Sequence, residues 1–362
     1  MMGSADVGAK HQIRASGSVR RLGLCEREEL IMGSSTSSRN ILVAGGGGFI
    51  GGHLVQELLE MGHEVRAVDI KPLDEWYQVV DGAESLVLDL RDRVECETAS
   101  AGMDWAYNLA CDMGGIGFIE HNKAACMTSV LINTHLLMAA RNCDLERYFY
   151  SSSACVYPDY RQDQPDVAEL KEADAYPAMP EDGYGWEKLF SERMCRHFRE
   201  DYGIETRVAR FHNVYGPEGA WTGGREKAPA AICRKVAEAV VSGDNRISIW
   251  GDGEQTRSFM YIDDCLEGTL RIADSDVLDP LNLGSDELVT INQLVDLAEG
   301  FAGIELERTY DLSAPQGVRG RNSDNTLIKE KLGWAPGVSL EDGLAKTFEW
   351  ILDQVRESAR VV

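Results

Sequence analysis

Tyr184 and Lys188 are a pair of residues whose types and spacing could carry proton chemistry. They stand four positions apart in Tyr-Gly-Trp-Glu-Lys, so a helix would place both side chains on one face. An ammonium beside a phenol favours the phenolate, and lowering a tyrosine pKa from about 10 to about 7 corresponds to roughly 4 kcal/mol. The pair predicts a tyrosine that takes a proton from a hydroxyl group. The same spacing also occurs on ordinary amphipathic helices, so it needs a supporting context.

A serine-rich segment, residues 151–157, lies upstream of this pair. If its strand stays extended, Ser153 and Cys155 lie on the same face. Ser153 would then donate a hydrogen bond to a substrate hydroxyl or carbonyl beside Tyr184, and Cys155 would face the same molecule. The other interpretation of Cys155 is a small core residue, which is the usual state of a free cysteine.

Gly45, Gly48 and Gly51 form GxxGxxG between a short apolar stretch and an amphipathic helix. Such glycines permit a tight turn and close approach of the backbone to a pyrophosphate at a helix N-terminus. Asp69 ends the second predicted strand, where a carboxylate accepts hydrogen bonds from a ribose 2′-hydroxyl and repels a 2′-phosphate, which favours NAD over NADP. Asp89 would either reach the adenine or be a solvated strand-end carboxylate. The candidate cofactor-binding residues are Gly45, Gly48, Phe49, Ile50, Gly51, Asp69, Asp89, Tyr184 and Lys188.

Alternating strands and helices must position these residues. Strands are predicted over 41–44, 64–69, 85–88, 105–109 and from 147, with helices over 49–61, 120–142 and 183–202. This alternation implies an α/β fold with a Rossmann-like, doubly wound parallel sheet. The last third differs, with strands over 247–250, 258–262 and 280–283, a glycine- and proline-containing loop over 313–320 and a helix over 339–358. It predicts a smaller, partly interleaved α+β domain.

Composition excludes several classes of protein. The chain has 362 residues, 44% hydrophobic and 27% charged, which is typical of globular proteins, and no apolar run approaches the ~18 residues of a membrane span. We also expect no secretory signal. Nine scattered cysteines without a CxxC pair argue against a disulfide framework or a metal site and favour a reducing cytoplasm. A net charge of −24 disfavours nucleic acid and anionic membranes as partners, whereas basic residues gathered in 207–235 and 319–321 suit one small anion.

The glycine turn, Asn108-Leu109-Ala110, the serine segment and Tyr-x-x-x-Lys together resemble the extended short-chain dehydrogenase/reductase superfamily that acts on nucleotide sugars. From about residue 40 to 350 the chain also resembles one of its families, the GDP-mannose 3,5-epimerases. The segments that carry this second resemblance are 110–119, 210–217, 223–231, 251–259 and 317–325. The last three are long and unusual, so the match is specific to the family.

The resemblance implies an NAD-dependent isomerase that converts GDP-α-D-mannose to GDP-β-L-galactose, with the C5-only epimer as a second product. Transient oxidation at C4 acidifies the hydrogens on C3 and C5, and the family's acid–base pair corresponds to Cys155 and Lys227. The implied catalytic residues are Ser153, Cys155, Tyr184, Lys188 and Lys227. The implied substrate-binding residues are Gly114, Gly115, Ser153, Cys155, Asn213, Glu226, Lys227, Ala228, Lys235, Gln255, Arg257, Ser258 and Arg321. Arg257 and Arg321 suit bidentate contact with a pyrophosphate.

The resemblance also guides the expected domains and assembly. Residues 1–39 are predicted to be a mobile leader, in which Met32 is an alternative start. The NAD-binding domain is expected over 40–212 with a return near 256–285, and the nucleotide-sugar-binding domain over 213–255 and 286–362. Relatives pair their equivalents of helices 120–142 and 183–202 across a two-fold axis, so we expect a homodimer. The family further implies a role in ascorbate biosynthesis.

Three alternative functions stay open. In a simple nucleotide-sugar 4-epimerase, Cys155 and Lys227 would be incidental. A 4,6-dehydratase needs a carboxylic acid near Ser153, and the adjoining sequence offers none. A non-catalytic NAD-sensing regulator is disfavoured because Tyr184 and Lys188 are both present. The acidic run 159–182 is interpreted as a solvated loop or lid. The stretch 236–248 is longer than in plant members of the family, and we expect it to affect the walls of the guanine pocket and so the identity of the nucleotide base.

Overall fold

The computed structural model describes residues 38–361 of the chain. The predicted leader, residues 1–39, therefore lies outside the described residues except for its last two positions. Met32, the alternative start, and Cys25 lie outside them as well.

A seven-stranded sheet forms the centre of the molecule. Its strand order is β11-β6-β5-β4-β1-β2-β3, and every neighbouring pair is parallel. The strands are β1 (Asn40–Ala44), β2 (Glu64–Asp69), β3 (Glu84–Val87), β4 (Trp105–Asn108), β5 (Arg147–Ser153), β6 (Glu205–Phe211) and β11 (Leu281–Leu283). The order reverses between β1 and β4, which is the point where doubly wound sheets bind ligands. The Rossmann-like prediction is confirmed.

Both faces of this sheet are buried, as its alternating side chains require. The helices of the two layers are α1 (Phe49–Glu60), α2 (Arg93–Ser100), α4 (Lys123–Asn142), α5 (Tyr184–Tyr202) and α7 (Ile262–Asp274), with a short α3 (Ile116–His121) before α4. Ile41 and Val43 pack into one apolar cluster with α1 and α7. Leu42 and Ala44 pack into another with α2, α4 and α5.

Smaller sheets and helices form the second region. β12 (Leu288–Thr290), β9 (Thr256–Ser258) and β14 (Gly320–Arg321) form one sheet, while β13 (Glu307–Asp311) pairs with β8 (Arg246–Trp250) and β10 (Met260–Tyr261) with β7 (Val214–Tyr215). The helices here are α6 (Ala228–Ser242), α8 (Ile291–Ala302), α9 (Thr326–Leu332) and α10 (Leu340–Val361). β11 returns to the main sheet beside β6, while the proposed domain boundaries stay a prediction.

Several predicted elements need correction. The predicted strand 258–262 is two short strands, 256–258 and 260–261, and α7 already begins at Ile262. The helix predicted over 120–142 breaks at Asn122, whose φ of −130° is not helical. Strand β6 was not predicted at all, although it lies inside the main sheet.

Residues 38–361 contain neither a membrane-spanning helix nor a metal-binding cluster. None of these residues belongs to a helix both long and apolar enough to cross a membrane. No group of three or more His, Cys, Asp and Glu side chains within the same range could hold a metal ion.

Candidate active site

A cavity of about 340 Å³ lies where the carboxyl end of β5 meets the second region. Ser153, Cys155 and Tyr184 line it from the main-sheet side, and Lys227, Arg257 and Arg321 line it from the other. Four of the five predicted catalytic residues, all but Lys188, therefore line one cavity. Lys188 lies behind Tyr184, in full burial.

Tyr184 and Lys188 stand one turn apart at the start of α5. The Lys188 ammonium lies 5.4 Å from the centre of the Tyr184 ring, donates to the Ser151 carbonyl at 3.2 Å and pairs with Glu187 Oε2 at 3.7 Å. Burial alone lowers the pKa of Lys188, but Cys111 and Glu187 outweigh it and raise the pKa above its ordinary value. Lys188 is therefore held as a cation.

The phenol of Tyr184 does not become a phenolate through its protein neighbours. Burial, followed by Cys111 and Cys155, raises the pKa of Tyr184 well above its ordinary value. The predicted stabilisation by Lys188 is thus outweighed in the protein itself. A positive charge on a bound nicotinamide ring would act in the opposite direction and lower the pKa of Tyr184.

Ser153 and Cys155 do not share a face of an extended strand, so that prediction is wrong. β5 ends at Ser153, and Ala154–Val156 form a short 3₁₀ turn in which Ser153 Oγ accepts a hydrogen bond from the Cys155 amide at 3.2 Å. A Cβ on Gly185 would overlap the Cys155 carbonyl, so this turn packs directly on the first turn of α5. The turn nevertheless brings both side chains to the cavity wall.

The Cys155 thiol lies among charged groups. Arg321 Nη1 lies 3.4 Å from its sulfur. Burial, then Glu181, raises the pKa of Cys155 to about 11, while Arg321 acts in the opposite direction. The thiol form is therefore favoured before any ligand binds.

Lys227 occupies the N-cap position of α6 and lines the same cavity as Cys155. Burial lowers the pKa of Lys227, although Cys155 opposes the shift. Its loop packs against the predicted glycine pair, because the Gly115 amide donates to the Arg225 carbonyl at 3.0 Å. A Cβ on Gly115 would lie 2.6 Å from the Glu226 carbonyl oxygen, so only glycine permits this approach.

The glycine turn has the shape that a dinucleotide requires. Gly45 has φ of +86°, and a Cβ there would lie 2.9 Å from the Ala110 amide nitrogen. The Gly48 amide donates to the Gly45 carbonyl at 3.0 Å and α1 begins at Phe49, so Phe49 and Ile50 present free amides of a helix N-terminus. A Cβ on Gly51 would overlap the Gly45 carbonyl. These residues fit a pyrophosphate, and they lie outside the 340 Å³ cavity.

The two predicted carboxylates of this region differ. Asp69 ends β2, and among residues 38–361 its carboxylate accepts a hydrogen bond from the Lys71 amide alone, at 3.1 Å, which leaves oxygens for a ribose. Asp89 forms an exposed ion pair with Arg91 at 2.6 Å, which matches a solvated strand-end carboxylate more closely than an adenine contact. Lys71 is not among the predicted cofactor-binding residues, and its ammonium donates a hydrogen bond to the Gly47 carbonyl of the glycine turn at 2.7 Å.

Most of the predicted substrate-binding residues line the cavity. They are Gly114, Gly115, Asn213, Glu226, Ala228, Lys235, Gln255, Arg257 and Arg321. Ser258 is the exception, because its hydroxyl is buried without a hydrogen-bond partner among the described residues and only its carbonyl meets Asn213, at 3.1 Å.

Arg257 is half-buried and has no carboxylate partner in the described part of the chain. It donates to the carbonyls of Thr256 and Val318, both at 2.6 Å. Burial, and then Arg321, lowers the pKa of Arg257 to about 9. Two guanidinium groups that repel each other across one cavity suit an anionic ligand.

Sequence reasoning missed Glu181, Cys111 and Gln162. Glu181 lines the cavity and pairs with Arg321 at 3.4 Å, so a carboxylate does enter the cavity that Ser153 lines, which the argument against a dehydratase leaves out. Cys111 packs with Cys155 and Tyr184, and Gln162 accepts from Arg321 at 2.6 Å. The available signal for Glu181 was its place three residues before Tyr184, within an acidic run interpreted as solvated.

Comparison with known proteins adds independent findings. The sequence model of the NAD dependent epimerase/dehydratase family matches residues 41–284. GDP-mannose 3,5-epimerase 1 of Oryza sativa subsp. japonica is 48% identical over 88% of this chain and 82% of its own length. GDP-mannose 3,5-epimerase of Arabidopsis thaliana is 46% identical over 88% of this chain and 83% of its own length. The crystal structure of UDP-glucose 4-epimerase from Thermotoga maritima with UDP-glucose aligns with a TM-score of 0.77 and 28% identity, covering 87% of this chain and 99% of that one.

Proposed function

Because this chain belongs to the NAD dependent epimerase/dehydratase family, and within it to the GDP-mannose 3,5-epimerases, we propose that it converts GDP-α-D-mannose to GDP-β-L-galactose. It is an NAD-dependent enzyme that epimerises nucleotide sugars. The C5-only epimer is proposed as a second product.

The observation that carries this proposal is the presence of a second acid–base pair. A 4-epimerase needs only Tyr184 to move the proton of the C4 hydroxyl. Here Cys155 and Lys227 line the same cavity as Tyr184, and they come from different elements, a 3₁₀ turn and the N-cap of α6. Groups on two sides of a sugar are what inversion at carbon requires, since one removes a proton and the other delivers one.

Gly45, Gly48, Gly51 and Asp69 would hold the cofactor. Bound NAD⁺ supplies reversible oxidation of the C4 carbinol. During that oxidation Tyr184 Oη takes the hydroxyl proton, Ser153 Oγ donates a hydrogen bond to the same oxygen, and the Lys188 ammonium stabilises the phenolate. Each positioned acid–base group contributes typically 10²–10⁴-fold.

The surroundings of Cys155 and Lys227 indicate which of the two accepts a proton and which delivers one. A ketone at C4 turns removal of hydrogen from C3 or C5 into formation of an enolate. Because burial lowers the pKa of Lys227, more of its amine is free of a proton near neutral pH and able to accept one. Burial and Glu181 raise the pKa of Cys155, so its thiol keeps the proton that it would deliver. We therefore assign proton removal to Lys227 and proton delivery to Cys155.

The diphosphate of the substrate is proposed to lie against Arg257 and Arg321. Arg257 lines the cavity, is half-buried and has no carboxylate partner in the described chain. An anionic ligand would supply the missing counter-charge, because withdrawing a cation from water without a partner is costly.

We also propose a homodimer built through α4 and α5. Met127 and Leu131 on α4, and Trp186 and Phe190 on α5, are exposed by 42–53%, which forms an apolar surface over two adjacent helices. Such surfaces are typical of protein interfaces. Light scattering of the protein and of a Phe190→Lys variant tests this, with a dimer expected for the first and a monomer for the second. The cytoplasmic location, which rests on the cysteine pattern, and the role in ascorbate biosynthesis, which rests on the family resemblance, stay predictions.

Incubation with GDP-mannose in D₂O, followed by NMR, tests the proposed reaction. We expect deuterium at C3 and C5 and the appearance of the inverted sugars. Inversion at C4 without label at either carbon would instead identify a 4-epimerase. An absence of both turnover and label in a protein that binds NAD would favour the regulatory alternative.

A further inference from the structure

Glu181 is held beside the proposed proton donor by both its backbone and its side chain. Its amide donates to the Cys155 carbonyl at 3.0 Å, so the two residues cannot move apart without breaking that bond. Its side chain lines the cavity and is only 16% exposed. Glu181 therefore lies in the site and is not part of a solvated loop.

Arg321 stands between the Glu181 carboxylate and the Cys155 thiol. Its Nη2 lies 3.4 Å from Glu181 Oε2, and its Nη1 lies 3.4 Å from Cys155 Sγ. Its Nε donates to Gln162 Oε1 at 2.6 Å, which fixes the plane of the guanidinium. One cation thus faces a carboxylate and a thiol with separate nitrogens.

Without Glu181, no carboxylate in the described part of the chain would form an ion pair with Arg321, and its guanidinium would act on Cys155 against burial alone. A cation in contact with a cysteine favours the thiolate, and a thiolate cannot deliver a proton. We propose that Glu181 is a positioning residue that neutralises Arg321 at Cys155 and so keeps Cys155 in its proton-donating thiol form. This inference rests on the proposed function only for the role of Cys155 as a proton donor.

Other charged and titratable groups also face Cys155, and the inference takes them into account. Lys188 and Tyr184 approach from α5, Lys227 from the N-cap of α6, Arg257 from β9, Arg321 from β14 and Cys111 from the segment after β4. The fixed cations of this set favour the thiolate, and Glu181 is the carboxylate that opposes them. The pKa of Cys155, raised by burial and then by Glu181 to about 11, agrees with this balance.

The test is the alkylation rate of Cys155 by iodoacetamide, followed by mass spectrometry of the Cys155 peptide at several pH values. Only the thiolate reacts, so the rate reports the thiolate fraction. Glu181→Gln keeps the shape and removes the charge, and we expect about tenfold faster alkylation at a given pH, since one nearby charge shifts a pKa by about one unit or more. Glu181→Asp should restore most of the wild-type rate.

Asp182→Asn is the matched control. Asp182 neighbours Glu181 in sequence, is 76% exposed and pairs with Lys123 at 2.7 Å, so its loss should leave the Cys155 rate unchanged. Equal rates for wild type, Glu181→Gln and Asp182→Asn would overturn the inference. If Glu181→Gln fails to fold, Arg321→Gln must slow alkylation, and an unchanged rate there overturns the inference as well.

Failure of the inference can be told apart from failure of the proposed reaction. Alkylation requires no nucleotide sugar, so it reads the state of Cys155 even if GDP-mannose is not a substrate. Deuterium entry from D₂O reads the reaction regardless of whether Glu181 controls the thiol.

Discussion

Lys227 lines the cavity while Lys188 lies buried behind Tyr184, and the surroundings of these two lysines differ. Lys188 projects from α5 onto the main sheet, where Ser151 O and Glu187 Oε2 lie within 3.2 and 3.7 Å of its ammonium. Lys227 stands at the tip of α6, and no carboxylate in the described chain forms an ion pair with it. The pKa of Lys188 is raised and that of Lys227 is lowered by its burial.

In the proposed mechanism, this difference lets one residue type serve two kinds of chemistry. The lysine proposed to remain a cation and stabilise a phenolate is surrounded by oxygens. The lysine proposed to release and accept protons has no carboxylate partner in the described chain and stands at a helix N-cap. The first arrangement suits the proposed oxidation at C4, and the second suits the proposed inversion at the neighbouring carbons.

Tyr184→Phe should have the largest effect, because both halves of the chemistry depend on the oxidation that Tyr184 begins. We expect turnover and deuterium incorporation to fall together by about 10²–10⁴-fold, with little change in melting temperature. Steady-state assays and thermal unfolding measure these two outcomes. A variant that retained either readout would show that Tyr184 is not the base.

Lys188→Met should be the most destabilising change at the site. It leaves the Glu187 carboxylate buried beside no cation, and breaking a buried ion pair in this way costs about 3–5 kcal/mol. Denaturant unfolding measures the loss. A Glu187→Gln/Lys188→Met double variant should recover much of it, and a single variant as stable as the wild type would contradict the view of Lys188 as a locked cation.

Lys227→Met should raise stability, in contrast to Lys188→Met, and its effect should be the smallest of the three. Because burial lowers the pKa of Lys227 below its ordinary 10.5, the unfolded chain binds that proton more tightly between the two pKa values. Stability therefore rises with pH across that window, and the cost of the buried cation is complete below it. The methionine variant should be more stable at neutral pH, by on the order of 1 kcal/mol or less, and the gain should vanish as pH approaches 10.5.

Denaturant unfolding of the wild type and Lys227→Met at several pH values measures this sign. A loss of stability at neutral pH would mean that Lys227 has a stabilising partner. Turnover should nevertheless fall in the variant, so stability and activity should move in opposite directions.

The sequence was most informative where local chemistry decides the structure. The glycine turn and Asp69 depend on backbone approach and strand ends within one β-α-β unit, and the Tyr184–Lys188 pair depends on helical spacing alone. Each of these is a short-range pattern, so each could be predicted from residue types.

Strand β6 shows why other parts could not be predicted. Its sequence, Glu-Thr-Arg-Val-Ala-Arg-Phe, does not read as an apolar central strand. Arg207 and Arg210 are buried, because each finds a partner inside the fold. Arg207 donates to the Ser275 carbonyl at 2.6 Å, and Arg210 pairs with Glu192 at 2.7 Å. Both partners are distant in sequence, so the pattern of β6 makes sense only in the folded chain.

The acidic run 159–182 is only in part the solvated loop that the sequence predicts, since five of its eight acids are exposed and three are partly buried. Leu170 and Ala175 within it are buried, Glu172 accepts the Asn282 amide at 2.9 Å, and Glu181 faces Arg321 in the cavity. The net charge of −24 hid the fact that several acids serve as internal partners of arginines. Spatial pairing, which composition does not contain, decides the role of each.

The most direct test of the two-lysine account is single-turnover mixing of NAD-loaded protein with GDP-mannose in D₂O, for wild type and Lys227→Met in parallel. Absorbance at about 340 nm follows oxidation of the sugar by the bound cofactor, and NMR of the recovered sugar locates deuterium. We predict oxidation in both proteins, with label at C3 and C5 in the wild type only. Equal labelling in the two proteins, or no label at either carbon in the wild type, would contradict the account.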